Sequence, residues 1–315
     1  MSLAEHVRTL GRGPGRSRSL TQDEARDAMC DMLDPDTAPE AIGALLMLLR
    51  MKGETAQEIA GLVSAAQGNL PALPQVDLDW PSYAAGRTRG APWFLLSAKL
   101  VAQAGHKVLL HGWNGQDVKI RKGLQDAGIG TADTLDAAAQ MLERDGIAYL
   151  PLEVAHPALF HLLNLRSVLG LRSCINTVCR MLNPGAAPAS VQGVFHPSYR
   201  LLQADAAALL GWENLTVIKG GGGEFERHPA KDIAGFGLRA GVPWDGIYPA
   251  IRPETRRLNE TQDTATKPWD PTAPTDFEAD VITGTAAAAL DSLGVKNSAE
   301  FARSLWDTRP FGKAA

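Results

Sequence analysis

At 315 residues with 45% hydrophobic side chains, the chain has enough apolar material for a sizeable core and, on the usual relation of length to domain number, for about two domains. No stretch approaches the roughly 20 apolar residues of a membrane-spanning helix, and the opening MSLAEHVRTLGRG lacks the apolar segment of a signal peptide, so a cytoplasmic protein is expected. The net charge of −4 hides a division: residues 1–20 carry +3, residues 82–122 carry +6 and the remainder carries −13. That division predicts a basic face able to attract a polyanion, or an ordinary charged exterior if folding scatters the clusters over several surfaces.

The first 70 residues read as a helical unit of three helices. TQDEARDAMCDML opens on a capping box formed by Thr21 and Glu24, and TAQEIAGLVSAAQGN repeats the box at Thr55 and Glu58. Between them PEAIGALLMLLRMKG starts on a first-turn proline and is apolar nearly all round, which predicts a buried helix. The linker LPALPQ then stops helix. From residue 71 the pattern alternates. VDLDW, HKVLLHG and IAYLPLE read as strands, whereas PWFLLSAKLVAQAG, DVKIRKGLQDAG and TLDAAAQMLERDG read as helices, the alternation of a mostly parallel α/β sheet. Residues 252–276, rich in Pro, Thr and Asp, read as a long surface loop.

Ligands of such sheets sit at the carboxyl ends of the strands. Three loops fall there: SYAAGRTRGAP (82–92), HGWNGQD (111–117) and KGGGGEFERHP (219–229). The first carries Gly86 beside Arg87 and Arg89; glycine allows backbone amides to approach one phosphate, while arginines grip a longer polyanion. The second places His111 and Gly112 at a strand end and Lys119, Arg121 and Lys122 on the next helix. The third offers four glycines as a phosphate cradle, with Glu224 and Glu226 as ligands for Mg2+, but it lacks the Lys-Ser/Thr ending of a nucleotide loop. GRGPGRSRS (11–19) adds Arg12, Arg16 and Arg18 in a flexible basic loop. Tyr83, Trp93 and Trp113 either stack on bases or simply pack. His156 and His161 have no third ligand nearby, so no zinc site is expected, and Cys30, Cys174 and Cys179 read as free thiols of a reducing compartment.

Residues 149–185 contain a His-Pro-Ala run, an Arg ahead of a Leu-Gly and an Asn-Pro ending, and in these they resemble the anthranilate phosphoribosyltransferase family. LLHG at 109–112 is similar to that family's Lys-His-Gly, and VIKGGGGEFE to its Gly-rich stretch ending in Asp-Glu. The resemblance implies the nucleoside phosphorylase/phosphoribosyltransferase type II fold: a small N-terminal helical dimerisation domain over 1–70, and a larger α/β domain over 71–315 with a mostly parallel sheet and a helical segment near 156–182 that packs back on the first. It places His111, Arg166 and Glu226 as candidate catalytic residues, Arg166 at the position that contacts the aromatic carboxylate. Three departures stand out. The Gly-Thr-Gly-Gly-Asp diphosphate loop is replaced by AAGRTRG, the lysine of Lys-His-Gly is Leu110, and the Asp of the metal-holding pair is Phe225.

Residues 80–112 and 211–229 are more specifically similar to the divergent TrpD-like YbiB group, in PSY followed by a basic loop, in HG at the next strand, and in an early GRG stretch. That resemblance implies homodimers that bind nucleic acid without sequence preference and lack the parent activity. Two main expectations result. In the first, Arg12, Arg16, Arg18, Arg87, Arg89, Lys119, Arg121 and Lys122, with Gly86 and Gly112, form a groove for DNA or RNA. In the second, the chain is a Mg-dependent glycosyl- or phosphoribosyltransferase acting on phosphoribosyl diphosphate and an aromatic or nucleobase acceptor, and Glu224 and Glu226 hold the metal. A purely structural or protein-interaction module is the third.

Overall fold

The computed structural model describes residues 2–84, 90–113, 118–254, 272 and 274–310. Arg87, Arg89 and Gly86, and most of the 252–276 stretch, lie outside the described residues.

The N-terminal unit has four helices: α1 (Leu3–Gly11), α2 (Gln22–Leu33), α3 (Pro39–Lys52) and α4 (Ala56–Gly68). Both capping boxes form. Thr21 Oγ1 accepts the Glu24 N–H at 3.2 Å and the Glu24 carboxylate accepts the Thr21 N–H at 2.9 Å. At the second box Glu58 is wholly buried and accepts four bonds: from the Thr55 N–H at 2.8 Å, the Thr55 hydroxyl at 3.1 Å, the Lys52 ammonium at 2.8 Å and the distant Leu20 N–H at 2.9 Å. A residue that reads as a local cap therefore also ties the loop before α2 to α4. Helix α1 is a fourth helix beyond the three expected. Its buried face is Leu3, His6 and Leu10, at helical spacing, and the histidine in the middle breaks the apolar signal.

The chain continues through β1 (Leu78–Ser82), α5 (Phe94–Gln103), β2 (Val108–Gly112), α6 (Val118–Asp126), α7 (Leu135–Asp145) and β3 (Ile147–Pro151). Four short helices follow: α8 (Leu152–Ala155), α9 (Pro157–Asn164), α10 (Arg166–Leu169) and α11 (Ile175–Arg180). The remainder is β4 (Ala189–Val194), α12 (Ser198–Leu209), β5 (Asn214–Lys219), β6 (Ile233–Arg239), β7 (Val242–Tyr248), α13 (Asp276–Ser292) and α14 (Ser298–Thr308).

The seven strands form one sheet in the order β3-β2-β1-β4-β5-β6-β7. The first five are parallel, and β6 and β7 are added antiparallel at one edge. One core cluster joins Leu45 and Leu49 of α3 and Ile59 and Val63 of α4 to Leu159 and Leu162 of α9, Val178 of α11, and the sheet residues Val194, Leu215 and Val217. A second cluster brings Leu95 of α5 and Ile282 and Leu290 of α13 onto Leu78, Trp80, Val191 and Ile218 of the strands. The result is an α/β domain with helices on its sheet faces and a helical bundle sharing the first core. Among the described residues, no helix is long and apolar enough to cross a membrane.

From β1 the chain moves outward through β2 and β3, then returns to place β4 on the other side of β1. The strand order reverses between β1 and β4, and in open α/β sheets a crevice opens at such a reversal, outside the carboxyl ends of the strands.

Candidate anion-binding site

A cavity of about 320 Å3 occupies that crevice. Ala84 follows β1, Val194, Phe195 and His196 end and follow β4, and Gly222 and Gly223 follow β5; all six line it. The opposite wall comes from helical segments and carries four arginines: Arg50 of α3, Arg166 of α10, Arg172 between α10 and α11, and Arg180 of α11. Among the described residues, no Asp or Glu lines it. Arg50 donates to the Arg172 carbonyl at 2.6 Å, so the helical bundle and the α10–α11 connection are pinned together at the cavity wall. Arg180 is 7% exposed, with Asn176 Oδ1 3.4 Å away. Burial lowers the pKa of Arg180 and of Arg172, and neighbouring arginines push Arg172 further in the same direction.

Of the residues expected to act here, Arg166 reaches the cavity. His111, Glu224 and Glu226 are committed elsewhere. His111 is 1% exposed: its Nδ1 meets the Tyr83 hydroxyl at 3.0 Å, its Nε2 lies 3.1 Å from Asp79 Oδ1, and Asp79 Oδ2 accepts from Ser190 at 2.8 Å. This buried chain stitches β2, β1 and β4 together beneath the crevice, and His111 is not among the residues that line the cavity. Gly112 is needed because a Cβ there would stand 2.1 Å from the Ser82 carbonyl oxygen.

The glycine run does not form an amide cradle. The N–H of Gly220 donates to Val194, of Gly221 to Glu226, of Gly223 to Gly220 and of Glu224 to Gly221, all to carbonyls of the protein itself. Gly220 and Gly193 are there for close approach, since a Cβ on either would fall within 2.0 Å of Glu224 backbone. Gly222 and Gly223 adopt positive φ of 66° and 95°.

The carboxylates are likewise turned inward. Glu224 Oε1 accepts from Ser82 Oγ and the Ala84 N–H, each at 3.1 Å, and Glu226 Oε2 accepts from the Phe94 N–H at 2.9 Å, capping α5. Both are buried, and Phe225 between them is packed edge-on against Trp80 with ring centroids 5.4 Å apart. As folded, these two carboxylates do not present a magnesium site. Among the described residues there is also no group of three His, Cys, Asp or Glu arranged to hold a metal.

The basic residues divide. Arg12, Arg16 and Lys122 are exposed and Lys119 is half-buried. Arg18 is locked to Glu24 by two bonds of 2.6 Å, which drops the Glu24 pKa to about 2. Arg121 pairs with Glu153 at 2.6 Å and lies 5.2 Å over the Tyr149 ring. Trp93 and Tyr83 are wholly buried, and Trp113 packs edge-on against Phe160. His156 caps α9: its Nδ1 accepts the Leu159 N–H at 3.3 Å. All three cysteines are free thiols.

Sequence reasoning does not single out Arg50, Arg172 and Arg180. They are scattered over 130 positions, and no local motif joins them; the resemblance alone marks their neighbour Arg166.

Two family models match. The glycosyl transferase family helical bundle domain covers residues 4–68, and the glycosyl transferase family a/b domain covers residues 95–298. The chain belongs to this glycosyltransferase family. Family relatives include the anthranilate phosphoribosyltransferase of Geobacillus kaustophilus, 30% identical over 210 residues that span 64% of this chain and 61% of that protein. The anthranilate phosphoribosyltransferase of Roseiflexus castenholzii is 32% identical over 215 residues, 66% of this chain and 62% of that protein. The matched part therefore spans less than two thirds of the length of either relative. Among solved structures, anthranilate phosphoribosyltransferase from Thermus thermophilus superposes with a TM-score of 0.77 at 20% identity, covering 98% of this chain and 94% of the other. The Saccharomyces cerevisiae anthranilate phosphoribosyltransferase in complex with PRPP and Mg gives a TM-score of 0.70 at 15% identity, covering 97% and 92%. The fold expected from sequence, a helical bundle beside an α/β domain with a mostly parallel sheet, is thus the fold of this family.

Proposed function

We propose that the chain is a divergent glycosyl- or phosphoribosyltransferase that takes phosphoribosyl diphosphate and an anionic aromatic or nucleobase acceptor. The observation that carries this reading is the arginine-walled cavity at the strand-order reversal. It stands at the crevice where an α/β sheet binds ligands, and three of its four arginines, Arg50, Arg166 and Arg180, come from helices of the fold. Arg166 and its neighbours would bind and orient the acceptor's anionic group by paired N–H donors. The walls of bundle and sheet would shield the reacting atoms from water. The Saccharomyces cerevisiae relative is seen in complex with PRPP and Mg; in this chain Glu224 and Glu226 would be the carboxylates to serve a cation, with Glu224 Oε1 and Glu226 Oε2 already accepting from the Ala84 and Phe94 amides. Calorimetry with phosphoribosyl diphosphate, with and without Mg2+, tests the reading: saturable heat supports it, and no heat in either condition removes it.

A second reading is a TrpD-like YbiB-type homodimer that binds nucleic acid without sequence preference. It is favoured by the inward commitment of His111, Glu224 and Glu226 together with the exposure of Arg12, Arg16 and Lys122. Here affinity for a labelled oligonucleotide falls linearly with the logarithm of salt concentration. Arg12→Ala with Arg16→Ala should reduce that slope by about 2, on the basis of roughly one released counterion per phosphate contact. An unchanged slope would rule out this arm of the groove.

A further inference from the structure

The four arginines of the cavity are more positive charge than one carboxylate on a ligand can answer. Among the described residues, no Asp or Glu lines the cavity. Glu54 lies 3.4 Å from the Tyr199 hydroxyl at the cavity wall, and Glu224 exerts an attractive field on Arg180. Four guanidinium groups with no carboxylate among the described lining residues make the cavity strongly positive. Burial disfavours the charged forms of Arg180 and Arg172, and at Arg172 the neighbouring Arg166 and Arg50 act in the same direction, so an occupant that brings two negative charges relieves both costs at once. Apolar side chains, those of Phe195, Leu171 and Val194, stand among the cations and offer contact to a ring. A volume of about 320 Å3 is at the small end of ligand cavities, with room for one substituted ring.

We infer that the natural occupant of this cavity is a small aromatic molecule carrying two anionic groups, held by Arg166 and Arg172 at the mouth and by Arg180 at the base. Phosphoribosyl transfer supplies the context, so the inference rests on the proposed function for its role as acceptor, though not for its binding.

The test is calorimetry on the full chain, without phosphoribosyl diphosphate, comparing benzene-1,3-dicarboxylate with benzoate. The ring is the same and only the second charge differs. The expected result is that the dicarboxylate binds at least about tenfold more tightly, the size of one well-placed charge-assisted pair. Arg172→Gln should bring the two ligands to within about twofold of each other, on the same reasoning. Arg180→Gln should do the same where it folds, and Arg180→Lys, which keeps the charge, should retain the preference. Equal affinities in the unaltered protein, or a preference that survives Arg172→Gln undiminished, would overturn the inference. Failure of phosphoribosyl diphosphate to bind while the dicarboxylate preference holds would remove the transferase reading and leave the dianion site standing; the reverse result would do the opposite.

Discussion

Phe225 occupies the position at which the family resemblance places a metal-holding aspartate, and it is a core residue in contact with Trp80. Restoring the carboxylate by Phe225→Asp should therefore destabilise rather than repair. Loss of a buried aromatic costs about 3–5 kcal/mol, and a charge left in its place adds to that. Urea unfolding would read the effect, and a variant of undiminished stability would show that the 224–226 turn can rotate to face the crevice. The Tyr83–His111 contact gives a milder expectation. Tyr83→Phe removes the hydroxyl from a wholly buried pair and should cost about 1–3 kcal/mol, with the calorimetric affinity of the cavity for dicarboxylate unchanged. A change in that affinity would mean that the buried chain through His111 and Asp79 sets the position of the crevice.

At the scale of elements, the two capping boxes look alike in sequence and differ in consequence. Thr21→Ala and Thr55→Ala should each cost about 1 kcal/mol, the usual worth of a helix cap. Glu58→Ala should cost about 1–3 kcal/mol more than that, because it leaves the buried Leu20 N–H without its acceptor and takes one of two acceptors from the Lys52 ammonium. Thermal or urea unfolding of the three variants side by side measures the difference. Helix α9 provides a pH test. Burial is the main cause that lowers the His156 pKa below its ordinary value, and the cap needs Nδ1 unprotonated to accept the Leu159 N–H. The neutral form is thus favoured by folding, so its stabilisation is complete above the unfolded-state pKa of about 6.5 and is lost as pH falls through the lower folded-state value. His156→Asn, which keeps a capping acceptor that does not titrate, should flatten the slope of thermal stability between about pH 7 and pH 5.

Across the whole molecule, the fold was legible because each level of the sequence agreed. Capping boxes, a first-turn proline, and apolar runs alternating with helical patterns all pointed to a helical bundle and a parallel sheet. The site was not, and the reasons are physical. The glycine run reads as a phosphate cradle when only the absence of side chains is visible, but three of its four amides, those of Gly220, Gly221 and Gly223, are consumed by a turn so tight against β4 that Gly193 and Gly220 have no room for a Cβ. Glu224 and Glu226 read as metal ligands because burial and backbone acceptance cannot be seen in residue type. Arg50, Arg172 and Arg180 meet only because α3 and α11 are folded against the same end of the sheet. Arg166 alone came from resemblance.

The two antiparallel strands have a bearing on how the molecule keeps to itself. Among the described residues β7 is the last strand of the sheet, and Val242 and Ile247 on it are exposed. An unpartnered outer strand with apolar side chains is a template on which a second chain can add. Here Pro243 has no N–H to offer such a neighbour, and Asp245 sets a charge in the middle of the strand. Trp244 is drawn back over Gly246 and Gly235, where a Cβ would stand 2.6 Å and 3.2 Å from its ring, and the Arg239 guanidinium covers it at 3.9 Å. The widest hydrophobic surface of the strand is thereby folded onto its own sheet, and replacing Gly246 with a larger residue should release it and turn the edge into a point of self-association at high protein concentration.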